Sequence, residues 1–160
     1  MPLIHNRELQ TDQWQHLPSE IADQPDQRVI IDFARCLNEA DYWQKRAGPF
    51  GIRVANDLDP DLLASWLPKV GIICIEFPKY TDGRGYSLAR IIRRLGYSED
   101  LRATGDILRD QLAFLERCGF DSFELKQGKD GVEALTAFGE LGQPYQASHD
   151  RASPEWRRFG

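Results

Sequence analysis

No stretch of this 160-residue chain is apolar over the roughly 18 residues that a membrane-spanning helix needs. The first ten residues, MPLIHNRELQ, have no basic region leading into an apolar core, so no secretory signal is expected. Cysteine is scarce. Cys36, Cys74 and Cys118 are widely spaced and form no CxxC pair, which argues against a zinc or iron–sulfur knuckle held by this chain alone. The three histidines, His5, His16 and His149, share no metal-binding spacing, and no Ser–His–Asp set can be assembled around them. Basic residues number 20 against 25 acidic ones, a net charge of −5 that disfavours a general nucleic-acid binder. Neither GxxxxGK[ST] nor GxGxxG occurs, so no nucleotide or dinucleotide cofactor is evident. These absences leave a protein with reduced thiols, expected in the cytoplasm, without a membrane or nucleic-acid partner.

What is present is a repeating order of apolar runs and amphipathic patterns. RVIIDF, GIRVAN, GIICIEF, LRAT and DSFELK read as strands. GIICIEF is nearly continuous in apolar residues, as in a strand covered on both faces. LNEADYWQKR, DPDLLASWLPKV, the segment carrying Leu88, Ile91, Ile92 and Leu95, and ILRDQLAFLERC read as helices between them. Asp59 is the expected N-cap before Pro60, and Asp106 the expected cap of the last of these helices. Gly96 and Gly119 are the expected helix stops. GVEALTAFGEL reads as a further helix and PYQAS as a last short strand.

Five strand–helix steps imply an α/β fold with a mainly parallel sheet and right-handed crossovers. A doubly wound open sheet is the first expectation and a partial β/α barrel the alternative, because repeated βα units alone do not say whether a sheet closes. Residues 1–27 are expected to form an N-terminal extension in which LIHNREL and QWQHL make a hairpin. Residues 28–147 form the α/β domain, and residues 148–160 a mobile tail.

In such folds, sites lie beyond the carboxyl ends of the strands. Two loops are singled out on that ground. FPKYTDGRGYS, residues 77–87, follows the strongest strand and opens a helix. Its Gly83 and Gly85 allow positive φ and close backbone approach. Lys79, Arg84 and the helix N–H groups favour an anion, and Tyr80, Asp82, Tyr86 and Ser87 offer hydrogen bonds. The plainer reading is a glycine turn capped by Asp82. RATGDILRDQ carries Arg102, Thr104, Asp106, Arg109, Asp110 and Gln111. Arg102 and Thr104 share a strand face. A buried Arg102 needs a partner, with Glu76, Asp106, Glu124 or a bound anion as the candidates. Cys118, at a helix C-terminus, is expected to be a packed thiol with a raised pKa, and Cys74 a core residue.

The strings DGRGYS, DLRATGD and RCGFD resemble those of a bacterial family of unknown function labelled as an oxidoreductase of sulfite reduction. The resemblance is close over residues 72–125. It implies a context: members of that family are typically encoded beside assimilatory sulfite reductase and adenylylsulfate or phosphoadenylylsulfate reductase. Two readings follow. The first is an accessory protein of sulfite reduction that binds a small anion, or docks on sulfite reductase or adenylylsulfate reductase, through the two loops. The second is an enzyme acting on an anionic sulfur substrate, with Lys79, Arg84 and Arg102 holding the anion and Asp82 or Asp106 as acid or base. A scaffold whose glycine motifs only satisfy turns is the third.

Overall fold

The computed structural model describes residues 3–78 and 84–125. Its strands are β1 (Leu3–His5), β2 (Glu8–Gln10), β3 (Gln15–His16), β4 (Val29–Asp32), β5 (Phe50–Ala55), β6 (Ile72–Phe77), β7 (Asp100–Gly105) and β8 (Ser122–Glu124). The helices are α1 (Phe33–Asn38), α2 (Ala40–Lys45), α3 (Arg84–Arg94) and α4 (Leu112–Cys118), with 3₁₀ turns at Pro60–Leu63 and Arg109–Gln111. The helix and strand expected over residues 131–147, and the tail, lie outside the described residues.

All eight strands join one sheet, in the order β2-β1-β8-β7-β6-β5-β4-β3. From β3 to β8 the strands are parallel and each lies beside its neighbour in sequence. A doubly wound sheet requires the order to reverse, so that crossovers fall on both faces. Here it never reverses, and right-handed crossovers then stay on one face. The partial barrel is therefore the form adopted: the sheet curls into a half-barrel. One contact measures the curl. His16 on β3 and Glu124 on β8 lie five strand spacings apart, roughly 24 Å on a flat sheet, yet their side chains meet at 3.1 Å.

Alternation along the strands separates two chemistries. The outer face presents Val29, Ile31, Ile52, Val54, Ile73, Ile75, Leu101, Ala103 and Phe123, which merge with Leu88, Ala89 and Ile92 of α3 and Leu112 and Leu115 of α4 in the main core. The inner face carries Asp32, Arg53, Glu76, Asp100, Arg102, Thr104, Ser122 and Glu124, in register from strand to strand. Its small apolar floor is Ile30, Ile72 and Cys74, with Trp14 packed on it. β6 is thus buried on both sides along most of its length, as its composition suggested.

The N-terminal hairpin forms within LIHNRELQ: β1 and β2 pair antiparallel, and β1 also pairs antiparallel with β8. Asn6 and Arg7 make the two-residue turn with φ of 54° and 64°, as a type I′ turn demands. Arginine is an uncommon residue for that conformation. Its side chain is anchored on Glu116 of α4 by three hydrogen bonds of 2.7–3.2 Å. QWQHL does not join this hairpin. It forms β3 at the opposite edge of the sheet.

Two expected helices are altered. LNEADYWQKR is interrupted at Glu39, whose φ of −120° and ψ of 38° divide α1 from α2. Its carboxylate accepts from Arg35 Nε at 3.1 Å and Trp43 Nε1 at 3.0 Å, spanning the break. DPDLLASWLPKV forms one 3₁₀ turn followed by further turns. Asp59 caps it as expected, accepting from the Asp61 N–H at 3.0 Å. Pro68 withholds the donor that a longer helix would use.

Candidate functional site

β6 and β7 end side by side, with Phe77 opposite Gly105, so the two loops leave the sheet together. Lys79, Tyr80, Asp82 and Gly83 lie outside the described residues. Arg84 opens α3, is largely exposed, and has Asp57 at 3.6 Å. Beside Asp57, Asn56 is buried, and its side-chain Nδ2 has no hydrogen-bond partner among the described residues. Gly85 has no positive φ; it is a helical residue pressed against Phe77, where a Cβ would stand 2.4 Å from the ring. Tyr86 packs between Phe77 and Phe114, at centroid distances of 5.6 and 5.0 Å. Its hydroxyl accepts from Gln111 Nε2 at 2.5 Å, and burial pushes its pKa up. Ser87 is exposed on α3.

The RATGD turn is built around Gly105. Its φ is +102°, and a Cβ there would fall 2.4 Å from the Phe77 carbonyl oxygen. The next N–H, of Asp106, donates to that carbonyl at 2.7 Å. Asp106 does not cap α4, which starts only at Leu112. Gln111 stands at the N-cap position of α4 without a side-chain cap bond; its Oε1 accepts from the Leu108 N–H at 2.8 Å, ahead of the helix, while its Nε2 holds Tyr86. One side chain therefore ties the second loop to the helix that follows the first. Asp110 is exposed, and Arg109 lies in the 3₁₀ turn.

Arg102 does not reach these loops. It lies on the inner face with Thr104, as expected from alternation, and only 2% of its surface is exposed. Nη1 and Nη2 donate to Asp12 at 2.9 and 3.2 Å, and Nε donates to Ser122 Oγ at 3.2 Å. Glu124 is 3.7 Å away. Of the candidates weighed from sequence, Glu124 is therefore near. The two-point partner is Asp12, which sequence reasoning missed because nothing local joins it to β7.

His16 was missed for the same reason. Its Nε2 lies 3.1 Å from Glu124 Oε1. A carboxylate only accepts, so Nε2 is the donor in this bond. This hydrogen bond is the main cause of a lowered Glu124 pKa. Asp12, His16 and Glu124 bring ligand atoms within 4.8 Å of one another, but a cation there would compete with Arg102 for both Asp12 oxygens. Further round the inner face, Arg53 holds Asp32 at 2.6 and 2.9 Å.

The profile of a family described as "Bacterial protein of unknown function (DUF934)" matches residues 51–156. The chain belongs to this family. The match opens at the start of β5 and includes both loops, Arg102 and Glu124; Asp12 and His16 precede it. The family strings have structural reasons here. RCGFD joins α4 to β8: Gly119 ends the helix at a φ of +117°, Phe120 packs against Phe77, and Asp121 accepts from Arg93 at 2.5 Å and from the Leu101 N–H at 3.1 Å. No curated protein and no solved structure matches the chain. Among the described residues no helix is long and apolar enough to cross a membrane.

Proposed function

We propose that the chain is an accessory protein of assimilatory sulfite reduction that binds a small anion where β5 and β6 end and α3 begins. The pathway comes from the likeness of DGRGYS, DLRATGD and RCGFD to a family encoded beside sulfite reductase. The observation that carries the anion is the Asn56 amide, a buried donor with no acceptor among the described residues. Such a group costs about 1–3 kcal/mol when left unpaired, and an anion would supply the acceptor. The start of an 11-residue helix and the Arg84 guanidinium, beside Asp57, add positive potential nearby. Docking on sulfite reductase or adenylylsulfate reductase through residues 77–87 and 102–111 is the form this role takes if the anion belongs to the partner.

Thermal unfolding against sulfite, sulfate, phosphate, adenylylsulfate, FAD, FMN and NADPH tests this. A ligand at 100 times its Kd adds about 2.7 kcal/mol. A shift with a sulfur oxyanion that disappears in Asn56→Leu and Arg84→Ala, both folded, is the expected result. No shift with any member, together with no co-elution with sulfite reductase, would remove the reading.

A second reading, an enzyme of sulfur metabolism acting on an anionic substrate, is favoured by the His16–Glu124 pair, since an imidazole oriented by a buried carboxylate suits proton transfer. Turnover of sulfite or adenylylsulfate by the purified protein, lost in His16→Gln, is its test.

A further inference from the structure

At the opposite end of the half-barrel, below the amino ends of β4, β6 and β7, lies a cavity of about 280 Å³. That is near the lower limit for small-molecule sites, roughly 300–1,000 Å³. Trp14 forms one wall, and Gly71 makes room for it: a Cβ at Gly71 would stand 3.1 Å from the indole. Arg28 lies over the ring, 5.6 Å from its centroid. Glu99 and Asp100 form the other wall, with His5 beside them.

The charges here are unequally spent. Arg102, which also borders the cavity, is engaged by Asp12 and Ser122 through all three of its nitrogens. Arg28 has no ion pair among the described residues, and neither has the Glu99 carboxylate. Asp100 is a sharper case. Ser122 donates to its Oδ1 at 3.2 Å, and His5 Nε2 lies 4.0 Å from the same oxygen. Oδ2 has no partner among the described residues. Burial and the nearby Asp121 push this carboxyl's pKa up, against the opposing pull of His5, Arg102 and Ser122.

We propose that this cavity binds a small dipolar ligand, with an ammonium group seated on Asp100 and Glu99 and a carboxylate or similar anion on Arg28. Between the two charges, an aliphatic or flat body lies along Trp14 and Gly71. The walls start three strands apart, roughly 14 Å on a flat sheet and less on a curled one. The Arg28 side chain shortens the gap further. Charges separated by a short chain span it, whereas the adjacent charges of glycine do not. The site is remote from the β5–β6 strand ends and stands or falls independently of the anion reading.

The test uses the full ¹⁵N-labelled chain and four probes: ε-aminocaproate, caproate, n-hexylamine and glycine. The readouts are the Trp14 indole N–H signal, assigned through Trp14→Phe, and the Gly71 amide. Expected are saturable shifts of both signals with ε-aminocaproate. Caproate and n-hexylamine should each bind about tenfold more weakly or worse, because each lacks one charge-assisted contact, and glycine should give no saturable shift. Asp100→Asn should abolish binding. Glu99→Gln and Arg28→Gln, on exposed side chains, should each weaken it several-fold and keep the test decisive if Asp100→Asn disturbs the fold. Absence of a saturable shift with ε-aminocaproate, equal affinity for caproate, or indifference to all three substitutions would overturn the proposal.

Discussion

Arg102 and Asp12, 90 residues apart, are joined by a two-point ion pair of 2.9 and 3.2 Å inside the half-barrel. The guanidinium is almost fully buried, whereas the carboxylate keeps 28% of its side-chain surface exposed. A charge so placed is tolerable only while its partners stay.

Removing either partner is therefore expected to destabilise the fold, and unequally. Asp12→Ala leaves Arg102 with Ser122 and with Glu124 at 3.7 Å, so the loss should fall near the lower end of the range for broken buried pairs, about 3 kcal/mol. Arg102→Met removes the buried cation itself and should cost less than Asp12→Ala, because a methionine stem fills the same floor. Urea midpoints of the two variants check this. The ranking fails if Asp12→Ala lies within about 0.5 kcal/mol of the parent, as an ordinary surface change would.

Two family glycines should differ in their tolerance of a methyl group. At Gly105 the methyl meets the Phe77 carbonyl at a positive φ. Both costs act on backbone, and Gly105→Ala should lose at least about 3 kcal/mol. At Gly85 it meets the Phe77 side chain rather than backbone, and alanine's helix preference offsets part of the cost. A net loss of about 1–2 kcal/mol is expected there. Thermal unfolding of the two alanine variants would expose a reversed order.

Asp100 should be a residue whose neutralisation stabilises. Its pKa in the folded chain is raised by burial and by Asp121. Ionising it therefore opposes folding once pH exceeds the unfolded value near 3.9, and the penalty is complete above the folded value. Asp100→Asn should be more stable than the parent at pH 7 and equal to it below about pH 3. Denaturation at both pH values measures the gain, and a less stable variant at pH 7 would contradict this reading.

The thiols should be inert. Burial pushes Cys36 and Cys74 up to about 12 and raises Cys118 as well. The expected direction at Cys118 holds, with burial as its main cause. Reaction of the native protein with a disulfide reagent at pH 8 should be at least about a hundredfold slower than for a free thiol. All three cysteines should titrate once the chain is unfolded. Rapid labelling of one cysteine before unfolding would mark a site that the fold opens.

Local pattern carried much of this fold. The five strands β4 to β8 and the stops at Gly96 and Gly119 follow from apolar runs and glycine positions. Closure did not follow, because strand order depends on which neighbours pair, and each βα unit reads the same in an open sheet or a barrel. The helix expected from Ile107 begins only at Leu112, behind a 3₁₀ turn at Arg109–Gln111, so Asp106 is not the N-cap of α4. The polar interior was the deepest omission. Arg102 signalled that a partner was needed, but Asp12 and His16 lie in a polar N-terminal stretch with no motif, and only the curl of the sheet brings them to β7 and β8.

The sequential strand order also bears on how the chain acquires its shape. Strands β4 to β8 each pair with the next strand in sequence, one crossover away, and can add one after another, each closure carrying a modest entropy cost. The N-terminal segment finds Arg102, Glu116 and Glu124 only across 90 to 109 residues. β3 can pair with β4 as soon as that strand forms, but these side-chain partners stand only once β7, α4 and β8 are in place. Those long-range contacts therefore form late, and the half-barrel's inner face stays open to solvent until the rest of the sheet is complete.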